Sequence, residues 1–198
     1  MRLGDVIRAG VFAVLALSSS AQAQPNPSDL LGTWHSRTCE AASETAPISI
    51  LRIFTIGHSW WTTEVTFHDG ARCATPLFGF RIAGAYVLQG APDASNRPAF
   101  GTFFYANKTA WALTPDGASR LTSAGCGPDV WRPGAIQDIA HTGCLAFRAI
   151  TDTCRQEFDL VSITGNELRF GARSPEMCRE EGRPKALSAF PLIRLPFP

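Results

Sequence analysis

After its first two dozen residues the chain has no apolar run approaching the roughly 20 residues that a membrane-spanning helix needs. It has no Cys-x-x-Cys pair, which removes the spacing of a thiol redox motif or a zinc knuckle. It has no Gly-x-Ser-x-Gly, so the nucleophile elbow of a hydrolase is missing. It also lacks a run of basic residues and any excess of one charge. Taking away Arg2, Arg8 and Asp5 with the leader reduces 18 basic and 17 acidic residues to 16 of each. A neutral chain of this kind is a poor candidate for tracking phosphates or for lying on an anionic membrane. Nor does any stretch beyond the leader sustain helical periodicity.

Residues 1–23 have the form of a secretory signal. Arg2 and Arg8 make a positive start, residues 9–17 form a short apolar run, and Ala21-Gln22-Ala23 is an A-x-A cleavage site. The remaining stretch of about 175 residues fits one domain, 24–198, with a sizeable core. All six cysteines fall within it: Cys39, Cys73, Cys126, Cys144, Cys154 and Cys178. An even count behind an export signal implies a disulfide framework in a secreted or periplasmic protein. Six cysteines allow 15 connectivities and the sequence alone does not choose among them; the working guess is Cys39–Cys73, Cys126–Cys144 and Cys154–Cys178. The first would tie the opening strand to a later one, and the other two would close loops in the second half.

Period-two alternation broken by turn residues dominates the domain. A strand is expected over Ile48–Ile56, stopped by Gly57. Another follows in which Trp61, Thr63, Val65 and Phe67 alternate with Trp60, Thr62, Glu64 and Thr66, ended by the Asp69-Gly70 turn. Residues 77–82 and 86–89 read as a pair around Gly84. Residues 100–106 and 109–113 read as a hairpin around Asn107-Lys108, and 158–163 with 168–172 as one around Gly165-Asn166. A last strand lies in 186–195, with Pro191 marking an edge or a bulge. The irregular stretch 125–143 has room for a short helix near residues 136–141. About ten short strands with frequent turns predict an all-β fold, an antiparallel barrel or sandwich stapled by disulfides; the Gly32-x-Trp34 opening resembles that of calycin- or lipocalin-like barrels and points to a barrel or half-barrel.

Thirteen Phe and five Trp are many for this length. Neighbours such as Trp60-Trp61 and Phe103-Phe104 must point to opposite faces of a strand, so one of each faces away from the core unless another layer covers it. Trp60, Trp61, Phe78, Phe80, Phe103, Phe104 and Trp111 are therefore candidates for lining an apolar binding site. The resemblance of Gly32-x-Trp34 to the opening of calycin-type barrels implies that Trp34 plugs one barrel end, with Arg169, Arg173 or Arg194 stacked on it by cation–π contact.

The segment Gly32-x-Trp34-x-Ser36-x-x-Cys39-Glu40 resembles the opening of the APCDD-type domain, named for the adenomatosis polyposis coli down-regulated proteins, inhibitors of Wnt signalling. Further residues resemble it in order: Asp69-Gly70-x-x-Cys73-x-x-Pro76, Gly84-x-Tyr86, Trp131 with Gln137-Asp138, Cys144, Cys154, and Leu168-Arg169-Phe170-Gly171. The resemblance covers about residues 29–195. It implies an antiparallel, barrel-like sheet that exposes apolar surface and captures a lipid-modified protein or its acyl chain.

The function expected is thus binding of a hydrophobic ligand, free or attached to a protein, with no cofactor, no nucleic acid and no chemistry. The alternative is a structural or protein-interaction domain with a filled core: a hollow barrel would show a chain-sized apolar pocket, a filled one aromatic rings packed across it. Enzymatic readings are thin. His58 and His68 with Asp69 would need to meet to hold a metal. Ser59 beside His58 faces away from it on a strand. Glu40 and Glu64 read as a strand-end residue and a polar-face residue, and Asn107-Lys108-Thr109, a glycosylation sequon, reads as a turn.

Overall fold

A computed structural model describes residues 27–42, 47–90 and 98–196; the leader lies outside them. A short helix α1 (Pro27–Leu30) leads into β1 (Gly32–Ser36), β2 (Glu40–Ala41), β3 (Ile48–Ile56), β4 (Trp60–Asp69), β5 (Thr75–Gln89), β6 (Ala99–Phe104) and β7 (Asn107–Ala112). Helix α2 (Pro115–Ser123) follows, then β8 (Ile136–Asp138), β9 (Gln156–Thr164), β10 (Glu167–Phe170) and β11 (Leu192–Arg194).

Eight of these strands close a ring. Every pairing is antiparallel, in the order β1, β3, β4, β5, β6, β9, β10, β11 and back to β1. Followed once round, the registers return displaced by about 12 residues along β1, a large stagger that tilts the strands steeply and widens the barrel. Large rings fill the interior. Phe54, Trp61, Tyr86, Phe103 and Phe170 pack on one another with centroids 4.7–6.4 Å apart. The strands supply them by alternation, one ring inward at every second residue.

One end of the barrel is shut. Trp34 is fully buried and its Nε1 donates to the Leu30 carbonyl at 2.8 Å. The guanidinium of Arg194, paired with Trp34 across β1 and β11, lies 4.2 Å from the ring and donates to the carbonyls of Leu31 and Asp29. Arg194 therefore makes the cation–π contact. Arg169 sits out of register on the outward face of β10 and binds Glu167 and the Ser188 carbonyl, while Arg173, beyond the far end of β10, binds Glu157.

At the other end, the mouth, the edge of β5 opposite β4 serves two partners. Its second half pairs with β6 and its first half with β7, which carries β8. Residues 77–89 are thus one continuous strand, not a pair around Gly84. A Cβ on Gly84 would lie 1.8 Å from the Phe104 carbonyl oxygen, so this glycine marks a close crossing of backbones, not a turn. The hairpin expected around Asn107-Lys108 is absent for the same reason: β6 and β7 both pair with β5. The helix falls at Pro115–Ser123, capped by Thr114 with Pro115 in its first turn, and residues 136–138 are a strand. Gly70 and Gly165 do turn hairpins, with φ of 71° and 60°. A second core forms here from Leu77, Phe78, Phe80, Ala110, Leu121, Trp131 and Ile139.

The three disulfides are Cys39–Cys73, Cys126–Cys144 and Cys154–Cys178. Among the described residues no helix is long and apolar enough to cross a membrane.

Candidate functional site

The aromatic candidates divide by strand face. Trp61, Phe78, Phe80 and Phe103 are buried on the inner side, whereas Trp60 and Phe104 stay 45% and 36% exposed on the outer wall. Trp111 also faces outward, its ring lying where a Cβ on Gly79 would be. Those last three line no interior.

The mouth is covered by residues 139–155, an irregular strap. Cys144 ties it to the end of α2 and Cys154 ties it to the segment after β10. Between these anchors the Phe147 ring packs 4.3 Å from Phe80 and 6.3 Å from Phe67, and it belongs to both apolar clusters. The Arg148 carbonyl next to it accepts a 2.8 Å hydrogen bond from Lys108 Nζ. Lys108 is only 2% exposed, and its ammonium also lies 3.6 Å from the Tyr105 ring centre.

An ionic network continues from there. The Tyr105 hydroxyl hydrogen-bonds to Glu157, and Arg173 grips both Glu157 oxygens at 2.6 and 2.7 Å while keeping 65% of its side chain in water. Asp159, two residues along on the same inward face, accepts from the backbone N–H groups of Leu160 and Gly171. Burial dominates the proton affinities. It pulls the Lys108 ammonium down to about 8 against the opposing effect of Glu157, and pushes Asp159 up to about 7. Burial also raises the Tyr105 hydroxyl, with the neighbouring Glu157 charge adding to it. For Glu157 burial works toward the neutral form, but Arg173, Tyr105 and Lys108 together hold its carboxyl below the usual range.

Other candidates are dispersed. His58 is exposed in the turn after β3 and His68 is buried near the far end of β4, so the two do not meet. Among the described residues no group of three His, Cys, Asp or Glu could hold a metal. Glu64 is on the outer wall near Arg81, and Glu40 is buried against Ser36 and Arg52, so the two carboxylates form no pair. Sequence reasoning missed Tyr105, Lys108, Phe147 and Glu157. The available signal was Glu157 and Asp159 in period-two register with Val161, carboxylates on an apolar face.

Fold and site define a closed, disulfide-stapled antiparallel β-barrel with a strapped mouth. No protein-family model and no curated protein matches the chain.

Proposed function

We propose that this is a binding module of an oxidising compartment, reached by signal cleavage after Ala23, that holds a hydrophobic group at the mouth of its barrel. One observation carries the reading: Phe147, a ring brought by an irregular segment, is inserted among rings fixed on strands. Apolar sites with a few placed polar groups at barrel mouths are common ligand sites. The three disulfides support the oxidising compartment. The resemblance of Gly32-x-Trp34-x-Ser36-x-x-Cys39-Glu40 to the opening of the APCDD-type domain supports an acyl chain, free or on a protein, as the group captured. Chemistry at the bound group has no part in this reading.

The packed rings of the shut half favour a second reading, a protein-interaction domain with a filled core and no small ligand. Native mass spectrometry of the mature oxidised protein, followed by solvent extraction, separates the two. A stoichiometric lipid or fatty acid is expected under the first. A clean apo mass with no uptake of added fatty acid would move the assignment to the second.

A further inference from the structure

Within the reading of the mouth as a ligand site, we infer that residues Phe147 and Arg148 occupy it as a built-in stand-in, and that the true ligand is an apolar chain or ring bearing a carboxylate. The ring fills an apolar subsite against Phe80 and Phe67. The adjacent carbonyl oxygen occupies a polar subsite at Lys108 Nζ. The two subsites abut on one sheet face: Ala110 is paired with Phe80, and Lys108 lies two residues from Ala110 on the same side of β7.

The nature of the polar subsite argues for an anion over a neutral group. A wholly buried ammonium is costly unless an opposite charge meets it. Glu157 has both oxygens taken by Arg173, and Asp159 spends one on two backbone N–H groups. Among the described residues Lys108 makes no direct ion pair; a carbonyl and the Tyr105 face are its contacts, and the charge of Glu157, already shared with Arg173, acts on it only from a distance. A ligand carboxylate replacing the Arg148 carbonyl would put an anion in direct contact with the ammonium, while its apolar part replaced the Phe147 ring. The strap can yield without unravelling the barrel, because its two ends are covalently held and it contributes no strand to the ring.

The test uses the oxidised chain with Phe147→Ala, which removes the stand-in ring and leaves Lys108 and both disulfides in place. Octanoate and octanol are titrated by calorimetry. Octanoate is expected to bind Phe147→Ala at least about tenfold more tightly than octanol, the margin of a charge-assisted hydrogen bond. Adding Lys108→Met should erase that margin and leave octanol unchanged. Equal binding of the two probes to Phe147→Ala overturns the carboxylate inference while the apolar site stands. Binding of neither, with a native circular dichroism spectrum, overturns both. Should Phe147→Ala fail to fold, Phe147→Leu with the same titrations gives the same decisions.

Discussion

Buried ionisable side chains set the pH response of individual residues. Asp159 binds its proton more tightly when folded, near 7, than at its ordinary value of 3.8. Its contribution is therefore complete below about pH 4 and is lost as pH rises through 7. Asp159→Asn keeps an oxygen for the Gly171 and Leu160 N–H groups but removes the charge. Urea unfolding across pH 4–8 should show stability declining less steeply in the variant than in the parent; parallel curves would refute the assignment. Lys108 has the reverse sign. Its proton is held less tightly when folded, so stability should rise between about pH 8 and 10.5, and Lys108→Met should abolish that rise. These roles were illegible in the sequence, where Lys108 looked like a turn residue. Burial of a side chain depends on which strand lies beside it, and the neighbour of β7 is β5, about 30 residues earlier.

Elements show where alternation is a sufficient guide and where it fails. It placed β3, β4 and the β9–β10 hairpin correctly, because each consecutive pair is joined by a short turn that local residues specify. It failed at Gly84, where a glycine in an apolar run looks the same whether the chain turns or another backbone crosses. The structure decides for a crossing, and this predicts a contrast. Gly84→Ala would drive a Cβ into the Phe104 carbonyl and should destabilise by about 3 kcal/mol or prevent folding. Gly57→Ala, whose Cβ would meet the Trp60 carbonyl at an ordinary 3.5 Å, should change stability by less than about 1 kcal/mol. Thermal melts of the two variants read this directly, and equal losses would mean that β5 bends at Gly84 after all. Aromatic neighbours behaved as the strand period requires: Trp61 and Phe103 turn inward, Trp60 and Phe104 outward.

For the whole molecule, the disulfides act where the sheet does not. Cys39–Cys73, Cys126–Cys144 and Cys154–Cys178 bind the loop after β1, the strap and the segment after β10, which are irregular. With separations of 34, 18 and 24 residues, each is worth roughly 3 kcal/mol in lost freedom of the unfolded chain. Together that is comparable to the whole stability of a small domain, about 5–15 kcal/mol. Full reduction should therefore leave the protein unfolded or melting at least ~15 °C lower, as followed by circular dichroism with and without a thiol reductant. A reduced protein that melts within a few degrees of the oxidised one would show that the barrel stands on its core alone.

By itself the sequence determined the all-β class, the alternating faces of the strands, the opening Trp34 and a cysteine framework whose expected pairing the structure contains. These depend on local period, turn chemistry and cysteine count, all of which are written in neighbouring residues. Only the tertiary structure decided that Arg194, not Arg169 or Arg173, covers Trp34, that one edge of β5 is shared by β6 and β7, and that a strap carrying Phe147 closes the mouth above Lys108. Each of these joins segments distant along the chain, and their meeting is governed by ring closure and register rather than by the identity of adjacent residues.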